Sequence, residues 1–186
     1  MKTIKVLALV LLIGAGLGTP AGAQTNNTWS TDIETFEAQT NLIIVKGFGT
    51  GGTVSMGNAV LTVGLKESYS PDTGGKWQAV VLECNEDGAR EWAVIDYAEI
   101  ESLLKAIDFS RAATYDVTGL PGFQASYRTK DGFRVMALGS HRQSVVETYV
   151  QFGGYRRIQL DSDQMSQLRN VIEQARDSLD ALKPVK

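Results

Sequence analysis

Two windows of this chain can be laid on one another without a gap at an offset of 65 residues, Lys76–Arg111 on His141–Arg176. Gln78, Val80, Val81, Gly88, Asp96, Leu103, Ile107 and Arg111 then meet Gln143, Val145, Val146, Gly153, Asp161, Leu168, Ile172 and Arg176. Eight identities in 36 positions are few, but the physical pattern repeats as well. Each window reads strand, glycine turn, strand, capped amphipathic helix. A duplicated unit restricts the fold more than any single motif, because each copy must bury the same kind of face.

The helices carry the clearest signal. Asp96 precedes apolar residues at Ile100, Leu103, Leu104 and Ile107, a spacing that puts one stripe on one helical face. Glu99 stands where a capping box with Asp96 requires it. In the second copy Asp161 and Gln164 precede Met165, Leu168, Val171, Ile172, Ala175 and Leu179, and that helix runs to about Leu182.

Alternating segments predict strands at Asn41–Phe48, Ala59–Glu67, Lys76–Cys84 and Glu91–Ile95 in the first copy. The second copy predicts them at Phe123–Arg128, Phe133–Leu138, Ser144–Phe152 and Tyr155–Leu160. Turn residues at Gly47–Gly52, Ser70-Pro71-Asp72, Asn85–Gly88, Lys130-Asp131-Gly132 and Gly153-Gly154 separate them, and links this short imply antiparallel hairpins. The expected fold is α+β: tandem ββββα repeats, 41–113 and 114–186, each an antiparallel sheet with one C-terminal helix on one face. Residues 24–40 are expected to be a polar, partly disordered lead. Ala93, Ile95, Ile158 and Leu160 should face the helices of their own repeats. Trp77, Trp92 and Val94 then form an apolar opposite face, which must be covered by the other sheet or by a partner. This element order resembles, in topology alone, the repeats of the Whirly and PUR single-strand-binding proteins. The chain carries no sequence motif of either, so the resemblance implies the order of elements and not a shared activity.

The first 23 residues read as a secretory signal peptide: Lys2 and Lys5, an apolar run from Val6 to Leu17, then Ala21-Gly22-Ala23. The run is too short for a retained membrane span, which needs about 20 apolar residues. Cleavage before Gln24 would leave the chain periplasmic or secreted. The remaining 163 residues would carry 16 basic and 21 acidic side chains, a net of −5. That balance weighs against nucleic acid as a partner. The single cysteine, Cys84, excludes an internal disulfide. It reads as a buried thiol in a strand, with an intermolecular disulfide as the alternative. The single histidine, His141, sits beside Arg142 at a turn and reads as a surface residue, with no Ser-His-Asp set around it.

Three other clusters bear on function. Gly47-Phe48-Gly49-Thr50-Gly51-Gly52 looks like a phosphate cradle but lacks the following helix or Gly-Lys-Ser/Thr, so a flexible hairpin loop is expected. Glu83, Glu86, Asp87 and Glu91 gather round one turn as candidate calcium ligands, or as the carboxylates of a hydrolase. Arg128, Arg134, Arg142 and Arg157, with Tyr127 and Tyr155, form a candidate binding surface for an acidic partner. Charge separates accordingly, with a net of −7 over residues 24–113 and +2 over 114–186. The leading expectation is an exported, non-catalytic binding module with no cofactor beyond that calcium. Its partner would be a protein, polymer or small ligand outside the cytoplasm, or a second copy of the chain. The alternatives are a hydrolase or a carrier of lipid or another small ligand.

Overall fold

The computed structural model describes residues 30–153 and 157–182. The leader reading of residues 1–23 and the candidate Tyr155 lie outside them. A short helix, α1 (Asp32–Glu37), precedes four strands, β1 (Val45–Met56), β2 (Ala59–Tyr69), β3 (Lys76–Glu86) and β4 (Ala89–Asp96). One 3₁₀ turn (Tyr97–Glu99) leads into α2 (Ile100–Ala112). The second unit is β5 (Gly122–Arg128), β6 (Arg134–Ser140), β7 (Val145–Gln151), β8 (Arg157–Leu160) and α3 (Ser162–Ala181). Each group of four strands is a separate antiparallel sheet in sequence order, so the expected ββββα repeats are present.

The helices, however, are exchanged. α3 packs on β1, β2 and β3 of the first sheet, whereas α2 packs on β5 and β6 of the second, and the two helices touch. Leu61, Leu82 and Ile95 of sheet one therefore share a single core with Val135 and Leu160 of sheet two, Phe133 of the β5–β6 connection and the apolar stripes of both helices. Polar bonds mark the course of α3 over the first sheet. Gln164 Nε2 donates to the Ser55 carbonyl at one end (3.3 Å), and Gln78 Nε2 donates to that of Leu179 at the other (3.2 Å).

This packing explains the glycine-rich segment. Gly47–Gly52 is not a hairpin loop: β1 runs through it, with one register shift between Thr50 and Gly52. The turn lies further on, between the paired Met56 and Ala59, with Gly57 at φ +62°. A Cβ at Gly52 would stand 2.8 Å from Val171 Cγ1, and one at Gly51 would stand 3.3 Å from Ala175 Cβ. The glycines admit the backbone of β1 to the surface of α3, as close helix-on-strand packing requires.

The polar lead is ordered where residues are described. Thr31 and Glu34 close a full capping box, and Ile33 and Phe36 are buried. Phe36 stacks on Trp77 at 3.9 Å between ring centroids. Together with Trp77, Ala79, Val81 and Val94, Ile33 forms a small second core on the helix-free face of sheet one. Neither the other sheet nor a partner covers that part of the face; the chain's own α1 does. Trp92 stays outside the cover, 66% exposed.

Two details of the duplication are corrected. The capping box at Asp161 and Gln164 forms, with bonds of 2.8 and 2.9 Å, but the box at Asp96 and Glu99 does not. The Asp96 carboxylate turns away to accept from the amides of Asp32 (2.7 Å) and Ile33 (3.2 Å), so it caps α1 instead. The gapless alignment also fails for the third strands. Glu86 pairs with Ala89 across two residues, but Gln151 pairs with Arg157 across the five residues 152–156. An odd difference of three reverses the faces. Val80 lies in the core, and its aligned residue Val145 is exposed.

Substituting Gly52 by Ala should destabilise the fold by about 1–3 kcal/mol, through overpacking against Val171. Urea denaturation should show the loss, and adding Val171→Ala to the same chain should restore part of it. Equal losses with and without the second substitution would refute this reading of the contact.

Candidate functional site

The strand register of sheet two brings four polar side chains into one line. Arg128 pairs with Arg134, Arg134 with Gln151, and Gln151 with Arg157, one residue from each strand. Directly paired residues point to the same face, with Cβ atoms about 4.5–5.5 Å apart on neighbouring strands. The face is the one turned away from the core. The row lines a recess of about 360 Å³ together with Gly132, Phe152 and Gly153.

Guanidinium groups placed this way repel one another. Burial and the charge of Arg134 both lower the pKa of the Arg128 guanidinium. Arg134 and Arg157 contrast with Arg90, Arg111, Arg169 and Arg176, each of which stands against a carboxylate. Among the described residues, no such ion pair engages Arg134 or Arg157. Met136, on the same face one step behind the row, is buried at 1% exposure. The arginine stems and Tyr149 thus rest on an apolar base.

The connection between β5 and β6 holds the row in place. Within it, Thr129 N donates to Phe133 O (2.9 Å) and Gly132 N to Thr129 O (3.0 Å). Asp131 Oδ2 accepts from the Val94 amide at 2.6 Å, tying this turn to the edge of the first sheet. The Lys130 amide donates to Glu99 Oε1 (2.8 Å), and its ammonium sits 2.7 Å from Asp32 and 3.2 Å from Asp96. The carboxylate that caps α1 therefore also anchors the turn carrying the arginines. Gly132 has φ +87°, and a Cβ there would meet Arg128 Nη2 at 3.5 Å and Gly153 Cα at 3.7 Å. The left-handed backbone, more than the space, favours a residue without a side chain here.

The other candidate residues scatter. Arg142 lies in the β6–β7 turn, at the opposite end of the sheet from the row. Tyr127 is on the inner face, packed against the core and hydrogen-bonded to Ser102. Glu83 and Glu91 occupy opposite faces of sheet one, because Glu83 pairs with Trp92 and Cys84 with Glu91. Glu83 is instead ion-paired with Arg90 at 3.3 Å. Asp87 is the exposed first residue of a two-residue turn at φ 51°, and Glu86 ends β3. Among the described residues, no three His, Cys, Asp or Glu side chains converge as metal ligands would. Cys84 is a reduced thiol buried in the core. His141 is tied to the connector by its ring bond to Thr118 O (3.1 Å) and by its amide bond to Pro121 O. Gln151, Gly132 and Gly153 were not anticipated. Only the five-residue β7–β8 connection sets Gln151 opposite Arg157, and no local pattern announces that.

Burial pushes the carboxyls of Asp131 and Glu99 above the usual range. The nearby charge of Asp96 pushes in the same direction, and the amides of Val94 and Lys130 oppose it. A carboxyl raised in the folded state contributes stability that is full below its unfolded pKa. That stability is lost as the pH rises through its folded value. Asp131→Asn keeps an acceptor for the Val94 amide and removes the titration. Its stability should therefore fall less than the parent's as the pH rises from about 4 toward neutrality, in denaturation series at fixed salt. Parallel pH profiles for the two chains would contradict the assignment. No family model matches this chain, and no curated protein and no solved structure is found to be similar to it.

Proposed function

We propose that this chain is an exported, non-catalytic binding module that holds an anionic group in the row Arg128–Arg134–Gln151–Arg157. The observation that carries the proposal is the register itself, which sets three guanidiniums and an amide side by side on one face. Like charges directly opposite one another on neighbouring strands are destabilising, by about 0.2–1 kcal/mol per pair. A carboxylate, sulfate or phosphate would reverse that sign. It would take forked, charge-assisted hydrogen bonds from neighbouring arginines. The recess, at about 360 Å³, lies near the lower end of the roughly 300–1,000 Å³ typical of ligand pockets, a size for one charged group and its immediate carrier.

Export rests on the pattern of Met1–Ala23, a basic start, a short apolar run and an Ala-Gly-Ala end. The competing readings find less support. A hydrolase built on Glu83 and Glu91 would need both carboxyls on one side of a cleft, and they alternate to opposite faces. A lipid carrier needs an open apolar cavity between the sheets, and the stripes of α2 and α3 fill that space.

Two effects should appear together in Arg134→Gln. Without ligand the variant should melt at the parent's temperature or above, because a repulsion has been removed. Sulfate and inorganic phosphate, which should raise the melting temperature of the parent, should protect the variant with an affinity about tenfold lower or worse. Equal protection of both chains would eliminate the row as the anion site.

A further inference from the structure

We infer that the anion held by the arginine row is carried on a sugar ring, and that the ligand is an acidic oligosaccharide whose next ring lies on Trp92. This rests on the anion-site reading and adds a second contact to it. A further recess, about 260 Å³, is lined by Arg90, Glu91, Trp92, Phe152 and Gly153. Phe152 and Gly153 also line the arginine recess, so the two hollows share a wall that crosses from one repeat to the other. Trp92 is exposed to 66% and is not covered by α1. In the duplication it corresponds to Arg157, at the same offset of 65 residues. One repeat thus offers charge and the other a flat aromatic face at equivalent places.

The electron-rich face of an indole attracts the weakly positive C–H edges of a pyranose ring. Beside it, Arg90, on the same face of the sheet, supplies donors for ring hydroxyls. Bases of a single-stranded nucleic acid would also stack on Trp92, but their backbone would carry a phosphate past it at every step. Glu83, Glu86, Asp87 and Glu91 lie on the strands and turn around Trp92, and residues 24–113 carry a net of −7. That field accepts a neutral hydroxylated ring and repels a continuous phosphodiester. The ligand that fits both hollows has its charge at the arginines and an uncharged ring face at the tryptophan.

The test is calorimetric titration of the chain lacking residues 1–23 with four probes: a tetrasaccharide of one glucuronate and three neutral hexoses, its methyl ester, a thymidine tetranucleotide and inorganic sulfate. Trp92→Ala is compared throughout, and its exposed position leaves the core intact. The tetrasaccharide should bind at least tenfold tighter than its ester and tighter than the nucleotide. Trp92→Ala should weaken it about tenfold while leaving sulfate unchanged, and Trp92→Phe should restore part of the loss. Undiminished tetrasaccharide binding by Trp92→Ala would overturn the inference and leave the anion site standing. Tighter binding of the nucleotide would overturn it in favour of nucleic acid. Failure of sulfate and tetrasaccharide alike to bind the parent would remove the anion-site reading beneath it.

Discussion

Every other feature of this molecule depends on the exchange of helices between its two sheets. α3 follows the second sheet but lies on the first, and α2 does the reverse. Neither repeat can bury its own inner face, so the chain has one main core instead of two. The contact is close because Gly51 and Gly52 present bare backbone to Ala175 and Val171. Burial of this kind stabilises by roughly 25 cal/mol per Å² of apolar surface, so loosening one helix also exposes the sheet of the other repeat. Unfolding should consequently be a single cooperative event. The exchange also decides what is left over. Each sheet has one face committed to the shared core and one turned outward.

The two outward faces have diverged. On the first sheet the register aligns Thr53, Thr62, Glu83 and Trp92, and on the second it aligns Arg128, Arg134, Gln151 and Arg157. α1 covers the apolar part of the first face, held there by the Asp96 cap and by Glu37. Glu37 bonds Lys46, Lys66 and Ser68, and those bonds lower its pKa below the usual carboxyl value despite the opposing cost of burial. The second face carries no such cover among the described residues and keeps its arginines toward solvent. One cluster joins the two faces: Lys130 and Asp131, in the turn beside the arginine row, bond Asp32, Asp96, Glu99 and the amide of Val94.

Much of this was legible in the sequence because it depends on local period and turn chemistry. The stripes of both helices, the box at Asp161 and Gln164, the eight strands and the separation of charge are all local signals. Most of the failures share one physical character: they were decided by something distant in the chain. Asp96 has the spacing of a helix cap, but a stronger demand came from the free amides of α1 some 64 residues away. Gly47–Gly52 has the composition of a loop, yet it is strand because α3 needs the space. Tyr127 and Arg128 are neighbours in sequence and face opposite ways, a difference only the period of two reveals. Arg128 and Arg134 flank a turn signal and were foreseeable as a pair. The place of Arg157 in their row depended on three extra residues between β7 and β8.

The measurement that bears most directly on the site is the anomalous scattering of selenate in crystals of the protein. Selenate has the charge and shape of sulfate and an unambiguous signal. A difference peak within hydrogen-bonding distance of Arg134 and a second arginine of the row, present at millimolar selenate and absent from crystals of Arg134→Gln, is the expected result. Selenate peaks confined to other surface residues, with the row empty at the same concentration, would contradict it.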